Sequence, residues 1–143
     1  MTQYCTFRLD GHLFGIPVDV VQEVLREQAV TPVPLTAPEV SGLINLRGQI
    51  VISLNLRARL CLPPRSYLEP SVSVVVRAAD GGAVSLVVDR VGDVIEPDPG
   101  SLEEPPETLD PGIRPLVNGV CKLDGELMLL LDTEVAVDVG STA

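Results

Sequence analysis

Polar and apolar residues alternate from the start of the chain. Cys5, Phe7 and Leu9 fall on one side, and Thr6, Arg8 and Asp10 on the other, which is the period of a strand with one buried face. Asp10-Gly11 ends the run. Both residue types tolerate positive φ, as a two-residue hairpin requires, so Leu13 to Val18 is predicted as the return strand, with Pro17 marking an edge or a strand end. Asp19 then stands where it can cap a short helical turn carrying Val20, Val21, Val24 and Leu25; a strand through the same residues is the competing reading. Residues 26–39, with Pro32, Pro34 and Pro38, form a connection. A second hairpin follows: Val40 to Leu46, the turn Arg47-Gly48, then Gln49 to Leu54. Asn55 is placed to cap a short helical stretch through Leu60, and Pro63-Pro64 opens a linker.

The programme then runs again. A displacement of 70 positions brings Asp10-Gly11 onto Asp80-Gly81, Val18-Asp19 onto Val88-Asp89, and Val21, Glu23, Val24 and Leu25 onto Val91, Asp93, Val94 and Ile95. A displacement of 77 brings Gly42, Leu46, Gly48, Leu54 and Asn55 onto Gly119, Leu123, Gly125, Leu131 and Asp132. The additional residues fall in a Pro-rich connection over 96–116. Two pseudo-repeats within a single domain over 1–143 are expected, roughly 1–65 and 70–140, each supplying about four or five short strands. Sheets that small must close or pack on their twin to hide their apolar faces and edges. Two small β-barrels side by side meet that need, with exchange of strands between them left open.

Composition narrows the chemistry. Apolar residues make up 45% of the chain and aromatics only 3%, so the core is built from Val, Leu and Ile, which favours strands. A net charge of −10 opposes a nucleic-acid backbone or an anionic membrane as partner. No apolar run reaches the length of a membrane span and no secretory leader is evident, as expected for a cytoplasmic protein without direct membrane insertion. Cys5, Cys61 and Cys121 are neither a disulfide framework nor a metal site; each lies in an apolar run and reads as a small buried hydrophobe. His12, the only histidine, has no second ligand near it. Neither a nucleophile elbow around Ser53 nor a phosphate loop is present. Asp89, Asp93 and Asp132 fall where turns and caps account for them. No cofactor, metal or catalytic residue is expected; a small metal-dependent enzyme using an acidic cluster is the remote alternative. Glu103-Glu104 to Glu107 reads as a solvated, Pro-stiffened loop.

Four blocks carry a resemblance. Phe14-Gly15-Ile16-Pro17-Val18 with Val21-Gln22-Glu23-Val24-Leu25, then Thr31-Pro32-Val33-Pro34 with Ala37-Pro38, then Gly42-Leu43-Ile44-Asn45-Leu46-Arg47-Gly48-Gln49-Ile50-Val51, and finally Val87-Val88-Asp89-Arg90-Val91-Gly92-Asp93-Val94 are similar, in order and spacing, to the signature of CheW-like domains. The resemblance spans nearly the whole chain. It implies a mainly β fold of two five-stranded SH3-like barrels packed together, with a third apolar core between them. It also implies a non-catalytic adaptor that couples the cytoplasmic tip of methyl-accepting chemoreceptors to the regulatory domain of the histidine kinase CheA. Other CheW-like proteins are further expected partners, and recruitment to membrane-associated receptor arrays is implied. A scaffold that binds receptors or fellow adaptors without coupling the kinase is the sibling alternative. The chain resembles the free-standing adaptor rather than a segment of CheA or CheV. It departs from the family where Asn55 stands in place of an Asp and where the 96–116 connection is unusually acidic and Pro-rich.

The repeat comparison singles out Arg47, because its counterpart is Asp124 and a bare turn does not ask for Arg. Its bland reading is a solvated turn residue; the resemblance makes it a receptor contact, able to clamp a carboxylate or helix carbonyls. Glu23, Val21 and Val24 are expected at the lip of a groove that receives a partner helix, although packing alone accounts for Val24. Gly42 either clears the approach to that groove or forms a bulge. Val91 and Val94 hold the equivalent place in the second repeat, where packing is the stronger reading. The kinase-binding residues are not legible.

Overall fold

The computed structural model describes residues 2–26, 30–34, 37–64 and 71–138. The first hairpin is Tyr4–Leu9 (β1) and His12–Pro17 (β2), followed by Val21–Arg26 (β3). The second pairs Val40–Leu46 (β4) with Gln49–Asn55 (β5) and leads into a short helix, Leu56–Arg59 (α1). Val72–Arg77 (β6), Ala83–Val88 (β7) and Arg90–Ile95 (β8) come next, then Leu102–Glu103 (β9), Val117–Leu123 (β10), Glu126–Leu131 (β11) and Thr133–Val137 (α2). Both tight turns of the first half have consecutive positive φ, 50° and 82° at Asp10-Gly11 and 52° and 84° at Arg47-Gly48, the geometry that matches strand twist.

One expectation is corrected here. Residues 18–20 form a single 3-10 turn, and Val21 onward is a strand rather than a helical turn. Asp19 lies inside that turn and caps nothing; Pro17 holds the N-cap position, without a side-chain bond. Helical spacing lost because β-branched valines gain more from pairing with β6, opposite Val76, Val75 and Val74, than from an isolated turn.

The strands form two sheets, β8-β1-β2-β11-β10-β9 and β3-β6-β7-β5-β4. With the two-residue β9 set aside, each is the five-stranded sheet expected of an SH3-like barrel; β9 pairs with β10 at Val120 and Cys121. Hairpin β1–β2 lies in the first sheet, between β8 and β11, and hairpin β6–β7 lies in the second, between β3 and β5. Each sheet therefore joins strands from both halves of the chain. The joins are the two parallel pairings, Leu129 beside Phe14 and Ser53 beside Ser85. The chain crosses from the first sheet to the second at Val18–Val20 and returns at Asp89.

One apolar core fills the space shared by the sheets. Phe7, Leu9, Phe14 and Ile16 enter from the first sheet and Leu54, Val74, Val76 and Leu86 from the second, with Phe7 stacked on Phe14 at 5.7 Å between centroids. Full burial of such side chains contributes roughly 1.5–3 kcal/mol each. A smaller core of Tyr4, Leu13, Cys121, Met128 and Leu130 packs on the other face of the first sheet. The matching face of the second sheet is mixed, with buried Ile44, Val51 and Val75 beside buried Ser53, Ser73 and Ser85.

Local bonds fix the helices and crossovers. Asn55 caps α1, its Oδ1 accepting from Ala58 N at 3.3 Å, and Asp132 caps α2 by the same bond from Val135 N. At the end of α1, Leu62 N donates to Arg57 O and Cys61 N to Ala58 O, with Cys61 at φ 60°. This is a Schellman motif with cysteine in the position usually given to glycine. Cys5 and Cys121 are buried as expected, but Cys61 is exposed, because the left-handed residue of such a motif points away from the helix it ends. Arg57 makes a bidentate pair with Asp89 at 3.0 and 2.7 Å and donates to Pro63 O. Asp10 N also donates to Asp89, so the second crossover is clamped. Among the described residues, no helix is long and apolar enough to cross a membrane.

Candidate functional site: a groove between the two sheets

β3 and β8 are each an edge strand of their sheet, and a groove of about 600 Å³ lies between them. Val24 and Arg26 come from β3, Val72 from the start of β6, and Asp89, Arg90 and Val91 from the second crossover and β8. Val72 and Val91 rest on the shared core, and Val24 is 43% exposed. The groove thus has an apolar floor with the cations Arg26 and Arg90 along its rim, on a chain of net charge −10. Asp89 faces the same space but is held by Arg57.

Arg47, at the β4–β5 turn, has a side chain 76% exposed and ion-pairs with Glu23, whose side chain is 19% exposed. Glu23 sits on β3 and Arg47 beside β4, the opposite edges of the second sheet, so the pair spans the seam where that barrel closes. The other carboxylate oxygen of Glu23 is buried without a partner. Arg47 is therefore neither a lone solvated turn residue nor buried against its own chain.

Of the remaining residues named from sequence, Val24 and Val91 meet in the groove, while Val21 packs against the shared core. Gly42 is buried at a β-bulge of the β4–β5 ladder, and a Cβ there would overlap the carbonyl of Thr31. Thr31 and Leu43 exchange backbone bonds of 2.8 and 2.9 Å, so the close approach that requires glycine is made by the protein's own backbone. Val94 is 54% exposed and lies opposite Cys5 rather than in the groove; packing does not explain it.

Sequence reasoning missed Arg26 and Arg90, because nothing in the pattern places the ends of β3 and β8 together. It also missed an apolar patch on β5, where Ile50 is 61% exposed beside exposed Ile52. A signal existed: the 77-position counterpart of Ile50 is Leu127, also apolar and exposed beside its turn. Leu127 lines a second hollow of about 450 Å³ with Glu103, Glu104 and Lys122.

Metal-dependent chemistry on an acidic cluster is not supported. Asp89 is bound by Arg57 and Asp132 is spent on the cap of α2, whereas Asp93, expected at a turn or cap, lies exposed within β8, where its backbone carbonyl accepts from Thr6 Oγ1 at 2.6 Å. Among the described residues, no group of three His, Cys, Asp or Glu side chains is placed to hold a metal ion. Two titration shifts stand out. The hydrogen bond from Arg8 holds the Glu126 carboxyl below its ordinary range and raises Arg8 in turn. Burial raises the Cys5 thiol.

Two barrels around a shared core, with an apolar groove and a charged rim between their edge strands, have the build of a binding module. A family model of the CheW-like domain matches residues 3–139, and the chain belongs to that family, as a chemotaxis coupling adaptor. It is 27% identical to a chemotaxis protein CheW of Bacillus subtilis over 95% of this chain and 86% of that one. It is 29% identical to a chemotaxis protein CheW of Thermotoga maritima over 93% and 85%. The crystal structure of the scaffolding protein TtCheW from Thermoanaerobacter tengcongensis superposes with a TM-score of 0.87 at 28% identity, covering 97% of this chain and 94% of that one.

Proposed function

We propose that the protein couples the cytoplasmic tip of methyl-accepting chemoreceptors to the regulatory domain of the histidine kinase CheA, in the cytoplasm at membrane-associated receptor arrays. The observation that carries this reading is the groove between β3 and β8, whose apolar floor and cationic rim suit an amphipathic helix with acidic residues beside its apolar face. Val24 and Val91 are the floor contacts, Arg47 and Glu23 the charged contacts at the neighbouring seam, and Val21 and Gly42 support them from beneath. Val94 extends the surface along β8. The kinase domain is assigned to the separate patch of Ile50 and Ile52. Fellow CheW-like proteins are candidates for that patch as well. The pairing of β1–β3 with β6–β8 and of β4–β5–α1 with β10–β11–α2 supports duplication of one module, over about 1–65 and 70–140.

The test mixes the protein with a receptor-tip fragment and the kinase regulatory domain. A ternary complex is expected, and Arg47→Glu lowers receptor affinity at least tenfold while the fold is retained, with some loss of melting temperature because the Glu23 side chain is only 19% exposed. Unchanged receptor affinity removes Arg47 from the site. Pull-down with the kinase domain alone separates coupling from the sibling reading of a receptor-only scaffold. The Asn55 departure does not favour that sibling, since Asn55 keeps the cap of α1.

A further inference from the structure

The two crossovers between the sheets are built differently. Asp89 is gripped by the Arg57 fork and by the backbone of Asp10. Its counterpart Asp19 is exposed and, among the described residues, its carboxylate has no partner. The first crossover is only the 3-10 turn Val18–Val20, entered from Pro17 without a side-chain cap. On its N-terminal side lies a hairpin whose strand partners, β8 and β11, both belong to chain beyond residue 89. The bond from Val18 N to Gln3 O at 3.0 Å ties the start of the crossover to the hairpin, which leaves Asp19 and Val20 as the pivot. The slot between β8 and β11 is the same in every copy of the chain.

We propose that hairpin β1–β2 exchanges between two copies of this chain, pivoting at Asp19–Val20, to give a closed two-fold dimer. Phe7, Leu9, Phe14 and Ile16 are fully buried, so the hairpin has no stable undocked state. It regains the same core, the Arg8–Glu126 pair and the bond from Asp89 N to Arg8 O in either its own chain or a second one. Exchange of an identical element adds association at little cost in contacts, with the hinge deciding the balance. Both lobes keep β3 and β8 together through the clamped second crossover, so the dimer offers two complete grooves on one tether.

The experiment uses the full chain carrying Cys61→Gly, which removes the exposed thiol, and Val94→Cys, which places a thiol directly opposite Cys5 across the β1–β8 ladder. The protein is refolded at low and at high concentration with oxidised glutathione as the electron acceptor and separated by size. A dimer fraction that grows with concentration and runs as two linked chains on a non-reducing gel is expected, because exchange puts Cys5 of one copy against β8 of the other. A dimer whose links all lie within single chains, or no dimer at any concentration, overturns the proposal. Asp19→Pro gives an independent reading. It forces Val18 out of the 3-10 turn, and the dimer fraction at fixed concentration rises several-fold; an unchanged fraction also overturns it.

Discussion

Arg8 on β1 reaches over β2 to Glu126 on β11 in a bidentate pair of 2.9 and 3.0 Å. The pair depresses the carboxyl and raises the guanidinium, so its contribution to stability is present above the ordinary glutamate range. That contribution is lost as pH falls through the lowered value of the folded state. Carboxyl NMR titration is expected to place the Glu126 midpoint below the ordinary glutamate range, and Arg8→Met to return it toward that range. Both side chains are partly exposed, so the pair sets register between hairpin β1–β2 and β11 more than it adds stability. Single residues also show how the two sheets differ. Gly15 lies beside Leu130, and a Cβ there would meet the side chain of Met128, whereas the counterpart pair is Ser85 beside Ser53. At this position one barrel accommodates long side chains and the other a pair of hydroxyls among Ile44, Val51 and Val75.

At the level of elements, α1 ties the sheets together. Its Arg57 holds the second crossover, and its Arg59 donates to the carbonyls of Val135 and Ala136 near the end of α2, where cations are favoured. Arg57→Met leaves Asp89 half-buried without its fork, and chemical denaturation is expected to show a loss of about 2–4 kcal/mol. The hairpins were legible in the sequence because alternation and a two-residue turn specify them together. Residues 18–25 were not, since a run rich in valine satisfies helical and strand spacing alike and the decision belonged to β6, fifty residues away in the chain. Cys61 was misread for a related reason: its exposure follows from the left-handed end of α1, which only a glycine would have announced. The groove was half legible. Val24 and Val91 could be named from the repeat, but the pairing of β3 with β8 as facing edges depends on which hairpin enters which sheet, and alternation says nothing about that.

The molecule as a whole presents two separate surfaces, the groove of Val24 and Val91 and the patch of Ile50 and Ile52. They can be tested independently. Val24→Asp is expected to weaken receptor-fragment binding at least tenfold with kinase-domain binding unchanged, and Ile50→Asp to do the reverse, both measured by titration calorimetry on proteins whose melting temperatures stay close to the parent, since both residues are exposed. Loss of both activities in either variant would merge the two surfaces into one. The crossed placement of the hairpins also governs how the chain is made. The β1–β2 hairpin is complete at Pro17, yet the slot that receives it is unfinished until Leu131. At an elongation rate near 10 residues per second the nascent hairpin waits about ten seconds outside the ribosome with two phenylalanines uncovered. Hairpin β6–β7, leaving later, finds its neighbours β3 and β5 already made. Synthesis from one end thus gives the second barrel a head start, and the first closes only when translation is nearly over.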